Sequence, residues 1–382
     1  MKITNIEMFR VKPRWIFTKL TTDTGIVGWG EMISGTKTET VVAGAYELGN
    51  RILLGRNPFD IEQLWQEMHR SFFRGGPING TIVSGFEMAL WDIKGKALNV
   101  PVWELLGGKA RSRIKVYSWI GGDRPDDVIK QAQDRINKGF DSIKMNATEE
   151  LNYVDNYKKV EEVVERVSSL RDKFGSSLNI GIDFHGRVHK PMAKVLAHAL
   201  EPYNLMFYEE VVLPENEESF RTVAEQCHTP LATGERLYTR WQFKKILESG
   251  CIDIIQPDVA MVGGIWETRK IAAMAEAYDI AVAPHAPYGP VALAATLQVD
   301  SCTPNVFIQE QSLGIHYNKG FDLLDFVENK EVFAYKDGYV DVPDKPGLGI
   351  IMDEEKIRKI SQDGLVWTNP SWKNDDGTIA EW

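Results

Sequence analysis

The chain has 382 residues, 43% hydrophobic and 26% charged, with a formal net charge of −10. That is soluble globular composition, long enough for one large core plus a smaller domain, and the negative balance repels nucleic acid and anionic membrane as partners. No apolar run reaches the roughly 20 residues needed to span a bilayer, and the opening MKITNIEMFRVKPRW lacks the continuous apolar stretch of a signal peptide, so a cytoplasmic protein is expected.

Residues 2 to 32 read as a short antiparallel meander, KITNIEMFRV, RWIFTKLTT and GIVGWGEM, punctuated by Pro13 and the Asp23, Thr24, Gly25 run. From about 38 to 107 the period turns helical, as in IEQLWQEMHRSFF and SGFEMALWDIKGKAL. Strands followed by helices suggest a small α+β domain. From about 113, short apolar runs alternate with helical stretches: KVYSWIG, DSIKM, NIGIDF, LMFYEE, PLATGE, IDIIQP, IAVAPH and NVFIQEQ. Eight such alternations predict an α/β barrel of the TIM type, its sheet made parallel by the helical crossovers. An open doubly wound sheet would want a glycine-rich phosphate turn after its first strand, and SWIGGDRPDD is a weak likeness of one.

A barrel places functional residues at the C-terminal ends of its strands. The polar residues there are Lys144 and Asn146, Asp183 and His185, Glu209, Glu235, Asp258, His285 and Glu310, and from Asp183 onward one recurs every 23 to 27 residues. In GIDFHG, Asp183 and His185 share one face of the strand while Ile182 and Phe184 share the other. Three carboxylates, Asp183, Glu209 and Glu235, repel when brought together, and a hard cation that prefers oxygen ligands, Mg²⁺, removes the conflict. Capping of the following helices is the alternative role for each acid. Asp258 and His285 end neighbouring strands, where a carboxylate on one ring nitrogen makes the other a better base. His69, His189, His198, His228 and His316 read as surface or packing residues. Cys227, Cys251 and Cys302 are odd in number and widely spaced, which suits reduced thiols.

Taken in order, Lys-x-Asn, Asp-x-His, Glu209, Glu235 in TGER, Gln-Pro-Asp, Pro-His and Gln-Glu-Gln resemble the enolase superfamily, mandelate racemase subgroup. SGFEMALWDIKGKALNVPVWELLGG is a second hallmark. The resemblance implies a modified TIM barrel, (β/α)7β, over residues 113–344, an α+β capping domain over 1–112, and a C-terminal segment, 345–382, that packs back on the cap. It also implies Mg²⁺ on Asp183, Glu209 and Glu235, His285 with Asp258 as base, His185 as acid, Glu310 as a hydrogen-bond donor, Lys144 facing the substrate carboxylate, and a homo-oligomer.

Within the subgroup, DFHGRVHKPMAKVL, QEQSLGIHYNKG, KPGLG and the terminal AEW look most like dehydratases of sugar acids, with D-galactonate the expected substrate and D-gluconate the alternative. A racemase of this subgroup has Lys-x-Lys on the second strand. Asn146 replaces its second base, and the spare acid at His185 favours β-elimination. Relatives usually read Glu-Glu-Pro on the fourth strand, where this chain has YEEVV. From another class, a glycoside hydrolase would use two carboxylates and leave Asp258, His285 and the third acid idle. A binding barrel would need no acid-base pair. Substrate choice is expected from capping loops, around Pro13 to Lys19 and RGGPING, with Arg14, Trp15 and Arg74 as candidates for hydroxyl contacts.

Overall fold

In the computed structural model of the protein, which describes residues 1–381 apart from 34, 36, 72, 73, 75, 365 and 366, the chain opens with an antiparallel sheet of order β1 (Ile3–Val11), β2 (Trp15–Thr22), β3 (Val27–Ile33). Phe72 and Phe73 of the helical stretch, Gly75 of RGGPING and the final Trp382 lie outside the described residues. Four helices follow: α1 (Thr38–Ile52), α2 (Ile61–His69), α3 (Pro77–Leu98) and α4 (Val102–Leu105). Proline in its first turn starts α3, and Asn99 in the left-handed region stops it. Apolar on nearly all sides, α3 is buried from Thr81 to Ile93 and lies flat on β3. Gly30 allows that approach, because a Cβ there would sit 1.8 Å from the Gly85 carbonyl oxygen.

The barrel begins with β4 (Arg113–Trp119), α5 (Val128–Asn137), β5 (Ser142–Asn146), α6 (Tyr157–Phe174) and β6 (Asn179–Asp183). It continues through α7 (Lys190–Leu200), β7 (Phe207–Glu209), α8 (Glu218–Ala224), β8 (Leu231–Thr233) and α9 (Arg240–Glu248). Last come β9 (Ile254–Ile255), α10 (Ile265–Glu276), β10 (Ala281–Val282), α11 (Pro290–Ser301) and β11 (Gln309–Gln311). Each helix buries one apolar face against the strands, as Val160, Val163, Val167 and Leu170 do on α6. The strands run parallel in the order β10-β9-β8-β7-β6-β5-β4-β11. A parallel bridge between Val282 and Val306 joins the two ends and closes the ring. Among the described residues, seven helices therefore separate eight parallel strands, the (β/α)7β arrangement expected. β12 (Tyr339–Asp341) adds antiparallel to β4, and α12 (Glu354–Ser361) returns to the N-terminal sheet. There Lys19 pairs with Glu354 and Arg358 with Glu7, both at 2.7 Å.

Two buried acids from the N-terminal elements lock onto barrel helices. Glu31 on β3 accepts from Gly289 N (2.7 Å) and Ala292 N (3.0 Å) at the start of α11. Glu87 on α3 accepts from Ile265 N (2.7 Å) and Trp266 N (2.8 Å) at the start of α10. A carboxylate there satisfies helix N–H groups that have no partner within the helix. Trp65 of α2 adds a bond from Nε1 to Gly263 O. These contacts set the cap over the C-terminal ends of the strands. Among the described residues, no helix is long and apolar enough to cross a membrane.

Candidate active site

Strand register assembles the site. Asn146 lies opposite Asp183, and Asp183 opposite Glu209, across β5, β6 and β7, while Asp258 bridges His285 just beyond β9 and β10. Asp183, Glu209 and Glu235 each offer an oxygen, all three within 4.8 Å of one another. Asp183 Oδ1 accepts from His185 N at 2.7 Å, and Oδ2 is buried without a hydrogen-bond partner. Glu209 accepts from Lys144 Nζ and Gln256 Nε2, both at 2.6 Å. The Lys144 ammonium also lies 3.2 Å from Glu310 and 3.7 Å from Asp183, with no solvent exposure.

One ammonium cannot neutralise this many buried carboxylates. Burial, Asp183 and Glu235 push the Glu209 carboxyl well above its usual range despite Lys144, and burial together with Glu235 raises Asp183 to about 6. Burial also opposes ionisation of Glu235, yet His285, His185, Arg236 and Lys144 hold it below the usual range. Three converging carboxylates, one with an unbonded buried oxygen, fit a hard divalent cation that prefers oxygen ligands.

His285 Nδ1 lies 2.7 Å from Asp258 Oδ2. Burial alone would lower the imidazole pKa, but Glu235, Glu310 and Asp258 raise it to about 10. Glu235, the first of these, belongs to the carboxylate triad, so a cation there would weaken its pull on the imidazole. Its Nε2 faces Glu235 Oε2 at 3.5 Å and Glu310 Oε2 at 3.9 Å.

His185 sits in the left-handed region at φ 55°, a conformation that costs a non-glycine residue on the order of 1 kcal/mol and persists where neighbours impose it. Burial, Arg236, Arg187 and Lys144 hold its pKa well below the usual value, against Glu235. Glu310 accepts from Ala286 N (2.9 Å) and from the Trp119 indole. Burial favours its neutral form, but Lys144 and His285 prevail and keep it ionised.

His185, His285, Glu235 and Asn146 line one cavity of about 450 Å³, together with Arg14 from the cap and Trp367 from the C-terminal segment. Of the capping residues expected at substrate, Arg14 is there, donating to Pro287 O. Trp15 instead stacks in the core on Phe17 and meets Phe326 edge to face, and Arg74 leans over the Trp241 ring. His316, read as a surface or packing residue, also lines the cavity, with Nε2 3.3 Å from Asp123 Oδ2. Tyr317 donates to the same Asp123 carboxylate. Sequence reasoning missed Trp119 at the end of β4, Asp123 and Tyr317 in loops, and Arg236 beside Glu235. A larger surface groove of about 930 Å³, lined by Val160, Val164, Lys194 and His198, lies on the outer helices and contains none of the strand-end residues.

The chain belongs to the mandelate racemase and muconate lactonizing enzyme family of the enolase superfamily. Residues 127–356 match the enolase C-terminal domain-like family, and 8–107 the mandelate racemase / muconate lactonizing enzyme N-terminal domain. The superfamily binds a divalent metal, in keeping with the carboxylate triad. The chain is 51% identical to the D-galactonate dehydratase of Cronobacter sakazakii over 383 residues, 100% of each chain. Among solved structures, an enolase from Agrobacterium radiobacter with bound Na and L-malate superposes with a TM-score of 0.91 at 32% identity, covering 100% of both chains. A mandelate racemase/muconate lactonizing enzyme from Jannaschia sp. CCS1 gives 0.86 at 30% identity, covering 97% of this chain and 99% of that one.

Proposed function

We propose that this protein is a Mg²⁺-dependent hydro-lyase that converts D-galactonate to 2-dehydro-3-deoxy-D-galactonate and water. One observation carries the reading: a carboxylate-paired histidine, His285, and a second histidine, His185, line a single cavity beside the triad of acids. Full-length identity of 51% to a D-galactonate dehydratase supports the substrate.

A C2 proton is very weakly acidic, because its removal builds a second negative charge beside the carboxylate. Asp183, Glu209 and Glu235 would hold Mg²⁺, which would supply charge against those oxygens, and the buried Lys144 ammonium adds positive charge nearby. His285 Nε2 takes the C2 proton while Asp258 holds the imidazolium that results. The electron pair left at C2 moves into the carboxylate as an enediolate, then returns to form a C2–C3 double bond as the C3–O bond breaks. His185 gives the departing hydroxyl its proton, water leaves, and the enol tautomerises to the 2-keto-3-deoxy acid. Burial and the neighbouring cations disfavour the His185 imidazolium, and an anionic substrate between the two histidines opposes those cations. Asn146, donating to Gly122 O at 3.1 Å, supplies no second base at C2.

A glycoside hydrolase would need an accessible carboxylate pair, whereas Glu209 is fully buried and bonded to Lys144 and Gln256. The test is 2-keto-3-deoxy acid formation from a panel of sugar acids, D-galactonate and D-gluconate included, with Mg²⁺ and after chelation. Turnover of D-galactonate that chelation abolishes is expected. Turnover of D-gluconate alone overturns the substrate, and turnover that survives chelation overturns the mechanism.

A further inference from the structure

Arg236 follows the third carboxylate of the triad and fills no role in the chemistry above. Its guanidinium spans three strand ends. Nη2 donates to the His185 carbonyl at 2.5 Å, and Nε lies 3.5 Å from Glu235 Oε1 and 3.8 Å from Glu210 Oε2. Glu210 is itself fixed, accepting from Thr233 Oγ1 (2.7 Å) and Gly234 N (3.0 Å) at the end of β8. On the other side, Gly186 follows His185 in the left-handed region, and a Cβ there would come within 2.7 Å of Arg236 Nη1. The chain thus leaves room for the guanidinium against the one turn whose backbone holds His185 at positive φ.

We infer that Arg236 is a positioning residue for proton donation: its fork ties the His185 carbonyl to Glu210, which follows β7 and is itself anchored to the end of β8, and so holds the His185 imidazole toward the leaving hydroxyl. This rests on the proposed dehydration, in which His185 is the acid. A planar fork presents its donors to the carbonyl and the carboxylates in fixed directions, and a lysine ammonium does not. His185 N is held by Asp183 Oδ1, and Arg236 holds the carbonyl of the same residue. His285 takes its orientation from Asp258, with which Arg236 makes no contact among those described.

Loss of Arg236 should therefore impair elimination while sparing proton abstraction. With the acid misplaced, the enediolate is reprotonated at C2 instead of losing its hydroxyl. In D₂O, Arg236→Gln and Arg236→Lys are each expected to lower kcat for D-galactonate dehydration about 100-fold, with KM within about threefold. The ratio of deuterium recovered at C2 of unreacted substrate to product formed should rise by a similar factor. Mg²⁺ affinity measured by calorimetry should stay within about threefold of wild type, which also shows that the variants fold.

Three results overturn the assignment. One is parallel loss of exchange and dehydration, or a rise in KM alone, which makes Arg236 a substrate contact. Another is recovery by Arg236→Lys to near wild-type kcat, which makes its charge the whole effect. The third is a Mg²⁺ affinity lowered more than tenfold, which makes it a support for Glu235. Failure of the wild-type enzyme to dehydrate D-galactonate is a separate result, read before any variant, and removes the proposed function together with this role.

Discussion

Replacing Asp258 with asparagine tests the base directly. Asp258 is fully buried, with Oδ1 accepting from Ala260 N and Oδ2 bonded to His285 Nδ1, each at 2.7 Å. An asparagine that keeps its oxygen on Ala260 N turns its NH₂ toward His285. Nδ1 then becomes the acceptor and the proton moves to Nε2, the atom that has to receive the C2 proton. A hydrogen bond to a charged group contributes about 1.5–3 kcal/mol, which is roughly 10- to 150-fold in rate. The wrong tautomer adds to that, so kcat should fall about 10²- to 10⁴-fold with little change in KM. The assay is product formation together with C2 deuterium exchange in D₂O, and both should fall in parallel. A loss under fivefold, or exchange kept while product is lost, would refute the assignment of His285 and Asp258 as base.

Glu235→Gln should weaken Mg²⁺ binding by at least about 100-fold in calorimetry without unfolding the chain, since a first ligand matters more than the outer partners whose loss costs 10–100-fold. Glu87 should make stability fall with rising pH. Burial outweighs its three N–H donors and raises the carboxyl from 4.5 to about 8, so its contribution is full below 4.5 and is lost as pH climbs through about 8. Melting temperatures from pH 5 to 9 should show the difference moving in favour of Glu87→Gln, and a constant difference would contradict this.

The barrel and most of the site were legible because one strand-end polar residue recurs per β-α unit, and this register survives without knowing any contact. Strand lengths were not. IDIIQP and IAVAPH reduce to the two-residue strands β9 and β10, because Pro257 and Pro284 lack the N–H that would extend the ladder. Pairing resumes only at the Asp258–His285 bridge. Arg236 was invisible for another reason: its target is the backbone carbonyl of a residue 51 positions away, and no side-chain pattern encodes that. His316 looked peripheral because the loop after β11 folds back over the mouth, where it meets Asp123 from the loop after β4. Trp15 was misplaced because it opens β2 and packs into the core against Phe17 and Phe326, while Arg14, in the turn before the strand, is the residue that lines the cavity.

The most direct measurement compares His185→Asn with His285→Asn on D-galactonate in D₂O with Mg²⁺, following C2 deuterium by NMR alongside 2-keto-3-deoxy product. The account predicts that His185→Asn exchanges the C2 proton but forms almost no product, while His285→Asn does neither. Exchange in the His285 variant, or unimpaired product formation in the His185 variant, would contradict the division of base and acid between them.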